Sequence, residues 1–321
     1  MSKKNDKNST VDGPKWQHYV PCCYLKHFAH DGVTKSRKTQ VYFTDGETSQ
    51  LRTVKRLAAE DYFYSEITPA FDFVFNNMEN DYPLIVEKMM NGEVLSEEES
   101  YKFIIIMCDL NIRNAAYENQ TDKENKEVYT AIARAFAENV FGQAEGGRTD
   151  SQGMLHCIAA HWRLQLFCSE SSEKFITSDN PSRVFDNPKT GRPVMIYLPI
   201  HPDYAAVAYD KRHLAVVGND ISNDALGELN GLQVKHCVQH VFSDHDILTG
   251  DDQESAERLK ILLTRERPKR YVTKEGAWKP DFIPTSSPVF SRLTFMRKLD
   301  NPILRNAVRR VVAEIQSDQE P

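Results

Sequence analysis

Long apolar runs are missing from this sequence. The longest uncharged one, Phe103 to Cys108, falls far short of the roughly 20 residues that a membrane-spanning helix needs. The N-terminus, Met1 to Gly13, carries Lys3, Lys4 and Lys7 but no apolar h-region of the kind a secretory signal has. The expectation is therefore a soluble, cytoplasmic protein with no membrane partner. Paired cysteines are missing as well. Cys22, Cys23, Cys108, Cys157, Cys168 and Cys237 are scattered and form no Cys-x-x-Cys, a pattern of reduced thiols rather than of a disulfide frame or structural zinc. Net positive charge is absent too: 40 Lys and Arg face 46 Asp and Glu, leaving −6. A nucleic acid would have to be held by a local patch, because no global field draws it in.

The common chemical motifs are equally absent. The sequence has no glycine-rich phosphate loop ending in Lys-Ser/Thr, no G-x-G-x-x-G after a strand, no G-x-S-x-G elbow and no H-E-x-x-H. ATPase, dinucleotide dehydrogenase, α/β-hydrolase and zincin chemistry all lose support. No self-similar period marks a solenoid or propeller.

What is present is ordinary globular material, 321 residues of which 40% are hydrophobic and 27% charged. Residues 1–15 read as a disordered polar tail. Pro21 opens a short helix carrying Tyr24, Leu25 and Phe28 and ending near Gly32. Gln40 to Phe43 and Ser49 to Thr53 flank Thr44-Asp45-Gly46-Glu47 as a hairpin, followed by a helix at Val54 to Glu60 and a strand at Tyr62 to Ser65. Helical periodicity then dominates 70–142: Phe71, Val74, Phe75, Met78, Tyr82, Ile85 and Met89, a capping box at Ser96-x-x-Glu99, the helix that delivers Arg113, and another at Asn125 to Val140. The 154–250 region is strand-rich, with strands at Trp162 to Cys168, Lys174 to Thr177, Val194 to Pro199 and Ala205 to Tyr209, a turn at Ser178-Asp179-Asn180-Pro181, a helix at Ser222 to His240 and a strand at Val241 to Ser243. Residues 265–321 form a basic C-terminal region that closes with a helix at Pro302 to Ile315. The expected fold is α+β, a mixed sheet with a central helical insertion, in one compact domain over residues 16–321.

Four groups of residues are candidates for chemistry or binding. His236 and His240, four apart, would share one face of a long helix, with His245 and Asp246 nearby, an arrangement a divalent metal could use but that chance spacing explains better, since no acidic residue stands between them and no third helical ligand follows. His18, just before a Pro-started helix, is placed either to cap it or to serve as an anion-binding or acid–base imidazole. Asp179 and Asn180 either close an Asx turn or project into a cleft. Arg265, Arg267, Lys269 and Arg270 open a basic stretch, interleaved with Tyr271, Trp278 and Phe282, that is either a solvated surface or a nucleic-acid patch.

His18-Tyr19-Val20-Pro21 with Tyr24, Leu25 and Phe28, Arg113, Trp162, Phe175 to Pro181, Leu198-Pro199 with Pro202, and Asn230 together resemble the family of domain of unknown function 4238, from about Trp16 to Asp246. Cys22 and Cys23 stand where that family usually has Gln and an aromatic, and Ile200-His201 replaces a common Leu-Ser. The resemblance implies that His18, Arg113, Asp179 and Asn180 belong to one site. On that basis His18, Arg113 and Asp179 are the expected catalytic residues, and Tyr19, Ser178, Asn180 and Asn230 the expected substrate contacts. No metal or other cofactor is expected.

Those residue types suit metal-free phosphodiester chemistry, with His as acid or base, Arg on the developing phosphate charge and Asp orienting the imidazole. The first functional expectation is a nucleic-acid-acting effector, an RNase-like toxin of a toxin–antitoxin or phage-defence system, whose partners are RNA and an antitoxin or other protein. The second is an ADP-ribosyltransferase-like toxin that takes NAD as its cofactor. The third is a non-enzymatic binding protein, which buried, fully hydrogen-bonded His18 and Asp179 would favour.

Overall fold

The computed structural model of the chain describes residues 16–34, 38–61, 69–112, 158, 160–169, 172–216, 220–248, 282–287 and 296–298. The first half holds β1 (Trp16–His18), α1 (Cys22–Leu25) with a 3₁₀ turn at Lys26–Phe28, β2 (Gln40–Thr44), β3 (Ser49–Thr53), a 3₁₀ turn at Val54–Arg56, β4 (Ala59–Asp61), α2 (Pro69–Met90) and α3 (Glu97–Ile112). Then come β5 (Trp162–Ser169), β6 (Thr177–Ser178), β7 (Arg183–Asn187), β8 (Arg192–His201), β9 (Tyr204–Asp210), β10 (Leu214–Val216), β11 (Asp220–Ile221), α4 (Asn223–His236), β12 (Val241–Ser243), β13 (Ile283–Pro284) and β14 (Met296–Lys298). The class is α+β.

Strand β8 shows how the layers form. Eight consecutive residues, Pro193 to Ile200, are buried, and because side chains alternate along a strand, both of its faces must be covered. Ile196, Leu198 and Ile200 pack with Leu25, Phe28, Tyr82, Ile85, Phe103 and Met107 of the N-terminal helices. Met195 and Tyr197 pack with Leu226, Leu229 and Leu232 of α4 on the other side. β9 divides in the same way, Ala206 and Ala208 to the first core, Ala205 and Val207 to the second. The six-stranded sheet, in the order β11-β5-β9-β8-β7-β13, is thus a central layer between two helical layers. Its four inner strands pair antiparallel and its two short edge strands parallel, which makes it mixed.

A second, antiparallel sheet runs β3-β2-β12-β6. The β2–β3 hairpin forms where the sequence places it, with Asp45 Oδ1 accepting from Glu47 N (3.0 Å) and Thr48 N (2.9 Å) and Gly46 at φ 99°. The capping box also closes: Ser96 Oγ accepts from Glu99 N at 3.1 Å and Glu99 Oε2 accepts from Ser96 N at 2.9 Å.

Three expectations are corrected. After Thr53 the chain makes a single 3₁₀ turn rather than a helix to Glu60, because β4 pairs with β1 from Ala59 onward. Lys174 to Ile176 is not a strand; pairing begins only at Thr177. The helix that begins at the Ser222 cap stops at His236 rather than His240. His236 and His240 therefore do not share a helical face, and the metal arrangement drawn from their spacing is withdrawn. The expected strand at 62–65 and the helices at Asn125 to Val140 and Pro302 to Ile315 lie outside the described residues, as does most of the basic stretch.

Candidate functional site

The Thr177 to Arg183 segment is a buried polar knot around the C-terminal end of α4. Ser178, Asp179, Asn180, Ser182 and Arg183 are all fully buried. The Asp179 carboxylate accepts three backbone hydrogen bonds, from Val238 N (2.6 Å), Gln239 N (2.6 Å) and His240 N (3.0 Å). Burial pushes its pKa above the ordinary carboxylate range, while those donors and the His240 ring pull it down. Asn180 Nδ2 donates to His236 O at 3.1 Å, and the Arg183 guanidinium donates to His236 O (3.2 Å) and to Asn180 O. Ser178 Oγ donates to Gln233 Oε1 (2.8 Å), whose Nε2 donates to Pro181 O (2.8 Å). Asn230 spends both ends of its amide on the backbone, Oδ1 accepting from Ile176 N (3.1 Å) and Nδ2 donating to Lys174 O (2.8 Å).

Helix α4 ends where it does for this reason. Its last carbonyl is taken by Asn180 and a guanidinium, and the N–H groups that would continue it point instead at Asp179. Among the described residues, every hydrogen bond to the Asp179 carboxylate comes from this turn, so Asp179 is not the group that orients the His18 ring.

His18 is held elsewhere. Its Nδ1 lies 3.1 Å from Leu57 O, and because a carbonyl can only accept, Nδ1 carries the proton and Nε2 is the acceptor nitrogen of the neutral ring. Cys22 Sγ stands 3.3 Å from that Nε2 and 3.7 Å from Nδ1, abreast of the ring rather than in line with either nitrogen, and its thiol donates to Val54 O at 3.7 Å. Burial, then Glu79, pushes the Cys22 thiol up to about 11, with Lys26 and Lys55 acting in the opposite sense, so the sulfur keeps its proton near neutral pH. Tyr19 is buried, and its N–H donates to Ala58 O at 2.9 Å. Ala58 is the one non-glycine with positive φ (48°) among the described residues, a conformation that costs about 1 kcal/mol. Backbone strain thus sits beside the carbonyl that fixes the imidazole.

The two motif segments do meet, but through other residues. Tyr24 Oη donates to Pro199 O (2.7 Å) and accepts from Thr177 Oγ1 (2.6 Å), 153 positions away. Arg113 follows α3 and lies outside the described residues. Sequence reasoning missed Cys22, although its place four residues after His18 across Pro21 was a usable signal. A shallow hollow beside α1 is lined by Pro21, Cys23, Tyr24, Glu79, Tyr82 and Asp109 among others. With two carboxyls and little other polar surface it suits no phosphate, whereas the charges of Lys26 and Lys55 reach the Cys22 thiol. Among the described residues, no three or more His, Cys, Asp or Glu cluster as a metal ion would require, and no helix is long and apolar enough to cross a membrane.

The family model of a protein of unknown function (DUF4238) matches residues 16–246, more than half of the chain. The chain belongs to that family. The match spans His18, Cys22 and the Asp179 knot, so the imidazole and the knot are both features of a family member's domain rather than of an appended tail. No curated protein and no solved structure matches.

Proposed function

We propose that this family member is a metal-independent enzyme acting on nucleic acid, RNA first, with His18 as its acid/base group. The observation that carries the reading is the ring itself: Leu57 O fixes the tautomer at Nδ1, leaving Nε2 as a proton acceptor in a half-buried position with Lys26 and Lys55 near enough to act on the adjacent thiol. A base needs a held tautomer, and a phosphodiester needs nearby positive charge. Leu57 O takes the role that sequence reasoning gave to Asp179. Arg113 is the proposed clamp on phosphate charge, and an effector of the toxin or phage-defence kind, with a protein antitoxin as partner, is the biological form of the reading.

Expression in cells tests it. The wild type is expected to slow growth and degrade total RNA, in extracts treated with EDTA as well, and His18→Ala to do neither. RNA that stays intact with the wild type, or is lost equally with His18→Ala, would contradict the reading. ADP-ribose appearing on a macromolecule, with NAD consumed, would instead establish the transferase alternative. A second reading, a non-enzymatic binding protein, is favoured by one observation: Asp179 is buried and spends its carboxylate on backbone. In that case His18→Ala would change neither growth nor RNA but would weaken capture of the partner.

A further inference from the structure

We propose that the face of the β2–β3 hairpin carrying Phe43 and Arg52, with Lys55 and Arg56 just beyond it, holds an unpaired strand of RNA, one base stacked on the Arg52 guanidinium and the adjoining phosphates on Lys55 and Arg56. The inference rests on the RNA reading and names the form of RNA that the protein takes. Strand register assembles the face. Gln50 stands opposite Phe43 and Arg52 opposite Val41, and since paired residues share a face of the sheet, Gln50, Arg52 and Phe43 lie on the same one. The Arg52 guanidinium carbon sits 5.3 Å from the Phe43 ring centroid. Gln50 Oε1 holds it there, accepting from Nε at 3.2 Å and from Nη2 at 2.8 Å. The His240 ring abuts Phe43 from just ahead of β12, centroids 5.4 Å apart, and the Asp179 knot fixes its place by accepting from His240 N at 3.0 Å.

The charge on this face is uncompensated. Arg52 is exposed and anchored by a neutral amide, and among the described residues no carboxylate pairs with it or with exposed Arg56. Gln50 occupies two of the guanidinium's five N–H donors, leaving three, together with the outer side of a planar cation already fixed against a ring. A nucleobase has a π face of its own and stacks on such a plane whatever its identity. The surrounding sequence suits phosphate: between Glu47 and Glu60 stand Arg52, Lys55 and Arg56 and no acidic residue, in a chain of net charge −6. Asp45 and Glu47 occupy the hairpin tip, so the cationic track leads away from the tip. It ends at Leu57, whose carbonyl holds His18 Nδ1 at 3.1 Å. From Arg52 to Leu57 is at most about 18 Å of chain, short enough for one strand to touch both the stack and the imidazole. A duplex keeps its bases in its own stack and offers none to Arg52.

Full-length His18→Ala chain, which leaves the probe uncut, is titrated against a fluorescein-labelled, unstructured RNA of about twelve nucleotides, and anisotropy is read. Adding Arg52→Lys, which keeps the charge and removes the plane, is expected to weaken binding about tenfold without changing its salt dependence. Adding Arg56→Ala should instead lower the slope of log K against log salt by about 0.7. The same RNA annealed to its complement should bind about tenfold more weakly, and abasic ribose phosphate should not distinguish Arg52→Lys from its parent. Both arginines are exposed, and thermal melts verify that each variant is folded. Equal affinity in folded Arg52→Lys, equal binding of the duplex, or no binding of RNA at all overturns the proposal. So does polyglutamate held as tightly as RNA, which would assign the face to an acidic protein. Arg52-dependent binding by a chain whose wild type leaves RNA intact keeps the surface and sinks the enzymatic reading. His18-dependent cleavage that Arg52→Lys leaves undiminished at subsaturating RNA does the reverse.

Discussion

Asp179 and His18 respond differently to truncation because they spend their polar atoms differently. Asp179→Ala would leave three buried N–H groups unmet at Val238, Gln239 and His240, a loss of about 3 kcal/mol or more that a urea midpoint should read directly. His18→Ala gives up the bond to Leu57 O and the contact with Cys22 Sγ from a half-buried ring, worth about 1–2 kcal/mol, so the folded protein should persist. His27 adds a pH dependence. Burial, with help from His201 and Lys26, lowers its pKa from 6.5 to about 4, so between those values the unfolded chain holds a proton that the folded chain does not. Its contribution is whole above 6.5 and is lost as pH falls towards 4, by at most about 3 kcal/mol. Urea midpoints measured across that window should fall for the wild type and fall less for His27→Gln; equal slopes would show that His27 is not the group responsible. At this scale the sequence revealed residue types but not partners. Asp179 was visible as a turn-forming Asp, yet that its acceptors serve residues 238–240 depends on where α4 stops, which no local pattern encodes.

Elements with short-range signals were legible, and those set by pairing were not. The capping box at Ser96, the Asp45-Gly46 hairpin and the burial spacing of Tyr82, Ile85, Val86 and Met89 follow from residues within one or two turns of each other. The four-residue overrun of α4 and the missed strands β1, β4, β10, β11, β13 and β14 have the opposite cause: each is set by a partner far along the chain, while β7, also missed, pairs with its neighbour β8. Strained Ala58 belongs at this scale too, since it sits at the corner where the 3₁₀ turn at Val54–Arg56 gives way to β4. Ala58→Gly should relieve the left-handed backbone and raise stability by up to about 1 kcal/mol. A denaturant midpoint that falls instead would place the positive φ among conformations the fold does not strain to keep. Ser96→Ala should cost about 1 kcal/mol by the same measurement, through loss of the cap to Glu99 N.

For the whole molecule, the layering explains why two distant motif segments persist together without forming one catalytic cluster. The sheet is covered on one face by the N-terminal helices and on the other by α4. Tyr24 joins α1 to both β6 and β8 across that packing, while the Asp179 knot clamps α4 and the turn after it. The family match over residues 16–246 embraces both. The account therefore separates a clamp that maintains the architecture from the His18 imidazole proposed above as the acid/base group. Its most direct test is cleavage of a labelled RNA by purified wild type and His18→Ala, with the thermal melts of both recorded in the same buffer. The account predicts cleavage by the wild type in the presence of EDTA, a loss of about a hundredfold or more in His18→Ala, and a melt for that variant lowered by no more than those two lost contacts explain. Undiminished cleavage by folded His18→Ala, or none by the wild type, would contradict it.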